Sequence, residues 1–124
     1  MQNQLHGSVS KLLLARSATG EEWPMNIEIW MPEPSDLAPW SCKVEVTNLF
    51  SPPRSIYGED SWQAQVLAMQ FAAKLVQDFV NRGGKLFWPS PSGNDERQEF
   101  KVEDLLPQFQ ECQSMPAASA HRAA

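Results

Sequence analysis

YGEDSWQAQVLAMQFAAKLVQDFVNRGG, residues 57–84, decides the fold, because it is the one long stretch with helical periodicity and with start and stop signals at its ends. Asp60 is placed to cap the first turn, and Gln63, three residues on, completes a capping-box arrangement that satisfies otherwise unpaired amides. Ser61 is the competing cap. Gly83-Gly84 ends the helix at Asn81 or Arg82, because glycine adopts the left-handed backbone that side chains resist. At about 100° per residue, Gln63, Gln70, Lys74, Gln77 and Asn81 fall on one narrow polar stripe. Trp62, Val66, Met69, Ala73, Val76 and Val80 form one apolar flank, and Ala68, Phe71, Ala72, Leu75 and Phe79 the other. The combined arc spans roughly 220°, whereas burial on one sheet face needs roughly 100°. A second surface must cover the remainder. It is either internal, with Phe100, Val102, Leu105, Leu106 and Phe109 of FKVEDLLPQF folding back, or it is a partner protein or a second copy.

Working outward, the residues before the helix read as strands. Ser8 to Ala18 is extended, with Val9 and the Leu12 to Leu14 run, and Thr19-Gly20 supplies a turn. In PMNIEIWMP, Met25, Ile27, Ile29 and Met31 alternate with Asn26, Glu28 and Trp30, so one face is apolar. Pro32, Pro34 and Pro39 then predict an extended connection without ladder pairing. SCKVEVTNL alternates again, with Cys42, Val44 and Val46 on one face and Lys43, Glu45 and Thr47 on the other, and pairing of these two strands brings Glu28 near Lys43. SPPRS breaks the chain, Ile56 and Tyr57 add at most a short edge strand, and KLFWP after the helix is a last strand stopped by Pro89. The order predicts an α+β fold: a mainly antiparallel sheet of three to five strands with one long helix packed on it.

The chain has 124 residues, enough for one domain with a small core, expected over 1–112. Residues 113–124 carry no periodic apolar set and are expected to form a flexible tail. Fifteen acidic against ten basic residues give a net charge of −5, which argues against a phosphate-tracking surface and so against nucleic acid as partner. It suits a basic partner. No segment approaches the roughly 20 apolar residues of a membrane span, and the four-residue LLLA run is too short for a secretory signal. Cys42 and Cys112 do not make a disulfide framework. A cytoplasmic protein without membrane contact is expected.

No constellation for catalysis, cofactor or metal is legible. His6 and His121 lie near opposite ends, and no phosphate-cradling loop, nucleophile elbow or metalloprotease pattern occurs. Glu59-Asp60 could form an acid/base pair, but adjacent carboxylates at a helix start serve as caps and dipole partners. Arg54 and Asp60 flanking Tyr57 would make at best a small polar site. Gln65 interrupts the apolar arc of the helix, either bonded to a nearby loop or as a specificity contact in a pocket. Trp23, Trp30 and Trp40 are packing residues singly and together the best candidates for an aromatic contact surface.

YGEDSWQAQVLAMQFAAKLV followed by GGKLFWP, with APWSCKVEV before it, resembles a family of small, uncharacterised bacterial domains. Its members carry a Gly-x-Asp-Ser-x-Gln-Ala segment opening a long helix. Gly58, Asp60, Ser61, Gln63 and Ala64 carry the likeness, and Glu59 and Trp62 stand where that pattern has apolar residues. The resemblance implies no activity. Some members resemble immunity proteins of bacterial toxin systems.

The expectation is therefore a non-catalytic binding protein, most concretely an immunity protein that occludes a basic bacterial toxin. Trp30 and Trp40 are its expected anchors, with Glu28, Glu33 and Asp36 as the acidic rim. The other expectation is a structural or regulatory module that self-associates through the helix as a homodimer.

Overall fold

The structure, a computed structural model, describes residues 7–89 and 97–107. Six antiparallel strands form one sheet: β1 (Ser8–Arg16), β2 (Glu22–Trp30), β3 (Glu33–Pro34), β4 (Trp40–Val46), β5 (Phe50–Gly58) and β6 (Lys85–Phe87). One long helix, α1 (Ser61–Asn81), packs on it, so the fold is α+β. Along the sheet β3 and β2 both pair with β4, β2 pairs with β1 and β1 with β6, while β5 pairs with the other side of β4. No described helix is long and apolar enough to cross a membrane.

Alternation decides which face is buried. Leu13 and Ala15 of β1, Met25, Ile27 and Ile29 of β2, and Cys42, Val44 and Val46 of β4 face α1 and are buried. The LLLA run is thus divided: Leu13 and Ala15 enter the core while Leu12 and Leu14 lie on the other face. The helix meets the sheet through Ala64, Ala68, Ala72 and Val76, all buried at four-residue spacing. Small side chains along that line let the helix lie close to the strands.

The helix start is fixed by backbone contacts. Asp60 Oδ1 accepts the Gln63 N–H at 2.7 Å, and Gln63 Oε1 accepts the N–H of Glu59, the residue before the cap, at 2.7 Å, so a capping-box-like pair of bonds is present. Gly58 is buried, and a Cβ on it would fall 2.5 Å from the Ala64 nitrogen. Only glycine lets the end of β5 pass under the first turn. Gly83, at φ 101°, ends the helix after Arg82.

Several local expectations are corrected. β3 pairs with β4 inside the proline-rich loop, over the two positions Glu33 and Pro34, short enough for the ladder to tolerate proline. β5 spans nine residues where only Ile56 and Tyr57 were expected, because two consecutive prolines fit an edge strand at an irregularity. The register runs from Val44↔Arg54 to Val46↔Phe50, so β5 spends two extra residues there, around Pro52 and Pro53. Glu28 faces Glu45, not Lys43. Met31 lies past the end of β2 and is 59% exposed, and Trp62, assigned to an apolar flank, is 79% exposed at the helix start.

The cover of the helix is in part internal. Residues 97–107 run back along β6, with Trp88 N–H bonded to the Gln98 carbonyl (2.9 Å) and Phe100 N–H to the Leu86 carbonyl (2.8 Å). Phe100 is buried, and Val102 and Leu105 pack against the core, whereas Leu106 is 39% exposed. Lys11 Nζ lies 4.2 Å from the centre of the Trp88 ring and 5.2 Å from that of Phe100, closing the core at this end. Phe109 and the expected tail, 113–124, lie outside the described residues, as do His6, Cys112 and His121.

Candidate binding face

The sheet has a second face, and no described helix covers it. Its side chains come from the alternate positions of each strand: Ser8, Ser10 and Leu12 of β1, Asn26, Glu28 and Trp30 of β2, Lys43 and Glu45 of β4. It is rich in hydroxyl and charged groups, with Trp30 as its large aromatic residue at one end. There the ladder is irregular. Ile29 pairs with Val44 and Glu33 with Ser41, so the segment between carries one residue more than β4 does. The extra residue turns Met31 outward, while its N–H still bonds the Gly7 carbonyl at 2.9 Å. The Trp30 carbonyl accepts the Cys42 thiol at 3.1 Å. Burial pushes that thiol up to about 11, so it stays protonated at neutral pH and serves packing.

This irregularity shapes two adjoining clefts. The larger, about 450 Å³, is lined by Trp30, Met31, Glu33, Lys43 and Pro53. The smaller, about 180 Å³, is lined by Gly7, Ser8, Val9, Ile29, Trp30, Met31 and Gln65, and with Val9, Ile29 and the helix residue Gln65 in its wall it opens at the end of the sheet on the α1 side. Trp30 and Met31 belong to both and form the ridge between them. Beside the larger cleft Glu28 and Glu45 stand opposite each other across β2 and β4. Glu28 accepts Ser8 Oγ at 2.7 Å and Asn26 Nδ2 at 3.5 Å. Among the described residues Glu45 has no ion-pair partner.

Of the residues expected to bind a partner, Trp30 and Glu33 meet in the larger cleft and Glu28 lies one pair along the same face. Asp36 is exposed in the loop between β3 and β4. Trp40, which opens β4, has the same strand parity as Cys42 and Val44 and packs against the core, so it stands on the opposite face from Trp30. Lys43, Met31, Pro53 and Gln65 were not expected in the site or were left open. Their signal is the residue count between the paired strands, which fixes the irregularity only once the register is known.

Other clusters have structural roles. Gly58, Asp60, Gln63 and Ala64, which carry most of the helix-start pattern, are accounted for by close approach, capping and burial. The Asp60 carboxylate is engaged in the cap. On the uncovered face at the far end, Glu22 bonds Arg97 at 2.7 Å and Arg16 at 2.9 Å, and both guanidinium groups lie over the Phe87 ring. These bonds, Arg97 first, hold the Glu22 carboxyl below its ordinary range. Among the described residues no group of three or more His, Cys, Asp or Glu side chains is placed to hold a metal ion.

The family model described as "Domain of unknown function (DUF6968)" matches residues 11–98. No curated protein and no solved structure matches the chain.

Proposed function

The chain belongs to the DUF6968 family, and from the geometry of its uncovered sheet face we propose that it is a non-catalytic protein-binding domain. It acts by stoichiometric occlusion of a basic partner, most concretely as an immunity protein against a bacterial toxin. The observation that carries this reading is the 450 Å³ cleft beside Trp30, which joins aromatic and aliphatic walls to a polar rim of Glu33 and Lys43. Partly buried aromatic side chains at such a cleft concentrate binding energy at small ordering cost. The net charge of −5, with Glu28, Glu33 and Glu45 on or beside the cleft, favours a basic partner and speeds encounter with it. Trp40 is not an anchor in this reading, because its ring supports the core.

Co-expression with the product of the neighbouring gene, assayed first for toxicity on its own, tests the proposal, and a non-toxic product contradicts the immunity reading. Wild type protects, while Trp30→Ala and Glu33→Lys remain folded by circular dichroism and lose protection. Full protection by both folded variants would place the interface elsewhere.

A further inference from the structure

We infer that the chain forms a two-fold symmetric homodimer by pairing β5 with β5 of a second copy, antiparallel and centred on Ile56. The inference is independent of the binding reading above. The two long edges of the sheet are treated differently. At β6 the returning segment closes the edge, with Trp88 N–H bonded to the Gln98 carbonyl and Phe100 N–H to the Leu86 carbonyl. At the opposite edge β5 has one strand neighbour among the described residues, β4. A strand with one neighbour presents a row of N–H and C=O groups that a further strand can pair. Pro52 and Pro53 lack the N–H and interrupt the first part of that row, so it is open over 54–58.

A second copy fits this row because the row complements itself. Antiparallel pairing about Ile56 sets Ser55 opposite Tyr57 of the second copy, and Arg54 opposite its Gly58. Ser55 and Tyr57 oppose Lys43 and Ser41 in the ladder and so lie on the uncovered face, where the exposed Tyr57 ring can cover Ser55 of the second copy. Arg54 is exposed on the α1 side, and the Gly58 opposite it carries no side chain and is followed by Glu59. Glu59 is exposed and its carboxylate makes no ion pair among the described residues, so Arg54 of each copy meets Glu59 of the other at both ends of the pairing. Residues 97–100 cover the other long edge, so assembly through β5 closes at two copies. The pairing extends the sheet sideways. The uncovered face and its Trp30 cleft stay open, with Lys43 one strand inside the new contact.

Sedimentation equilibrium of the full chain from about 1 μM to about 1 mM tests the inference, with hydrogen exchange to locate the contact. The expected result is a reversible monomer–dimer equilibrium in which amides within 54–58 become more protected as concentration rises. Arg54→Glu and Glu59→Arg, each checked for folding by circular dichroism, are each expected to weaken the dimer about ten-fold, since two symmetry-related pairs turn from attraction to repulsion. An equimolar mixture of the two variants is expected to dimerise as wild type does, because in the mixed dimer both pairs are again of opposite charge. A chain that is monomeric throughout that range overturns the inference and leaves the edge to a foreign strand. A dimer that protects other amides, or that neither variant weakens, overturns it too, as does a mixture that stays as weak as its components. Should either variant misfold, the concentration dependence of exchange at 54–58 in the wild type decides alone.

Discussion

Glu28 and Glu45 stand directly opposite each other across the β2–β4 ladder, on the sheet face that α1 leaves uncovered. Like charges in that relation are unfavourable, by roughly 0.2–1 kcal/mol relative to a neutral pair. Ser8 and Asn26 bond Glu28, but no described cation pairs with Glu45. Glu45→Gln is therefore expected to raise the stability of the free domain by an amount in that range, measured by urea unfolding. A fall would show that Glu45 is held by a favourable contact. The same substitution is expected to slow association with a basic partner, and the opposed effects on stability and binding would mark the pair as functional.

Gly58 is the position where the helix start tolerates least. Its Cβ would meet the backbone of Ala64 at 2.5 and 2.8 Å, and backbone cannot swing aside as a side-chain tip does. Gly58→Ala is expected to cost roughly 1–3 kcal/mol or more, as overpacking does. Asp60→Ala, which removes a cap only, is expected to cost about 1 kcal/mol. Thermal melts of the two variants side by side check the order, and an unperturbed Gly58→Ala would contradict the close approach.

Glu22 gives the pH dependence a direction. Its carboxyl is held below the ordinary glutamate value by Arg97 and Arg16, so its folded pKa is depressed. Such a group contributes stability at pH values above its unfolded pKa and loses it as pH falls through the folded value. Wild type is thus expected to lose stability below about pH 4.5 more steeply than Glu22→Gln, measured as midpoint against pH. Parallel curves would show that the pair contributes nothing, as exposed ion pairs often do.

The segment that runs back over β6 separates core from surface within a few residues. Phe100, 3% exposed, is expected to cost roughly 3–5 kcal/mol on truncation to Ala. Leu106→Asp is expected to be mild, since Leu106 is 39% exposed. Calorimetry of both checks this, and a severe Leu106→Asp would mean that residues beyond 107 cover that side chain.

Much of the architecture is legible in the sequence because it rests on local signals. Period-two alternation in Met25 to Ile29 and Cys42 to Val46 identifies the core face of two strands, and the capped, glycine-terminated run identifies the helix. The proline segments are misread because proline excludes central pairing but not an edge strand at an irregularity, which is where Pro52 and Pro53 lie. The binding face is legible only in part. Trp30 and Trp40 are similar in sequence terms, each beside a proline-rich loop, and only strand parity relative to the buried set sends one outward and the other to the core. Glu28 opposite Glu45 is likewise a matter of register, which local pattern does not supply.

The central claim, that a partner docks at the Trp30 cleft, is tested most directly by site-specific photo-crosslinking in living cells. A photoreactive phenylalanine analogue replaces Lys43, which lines that cleft, or Gln70, which is exposed on the polar stripe of the helix. Cross-linked products are identified by mass spectrometry. The account predicts one basic protein captured in good yield from position 43 and not from position 70. Capture from position 70 but not from position 43, or a second copy of this chain as the captured product, would contradict it.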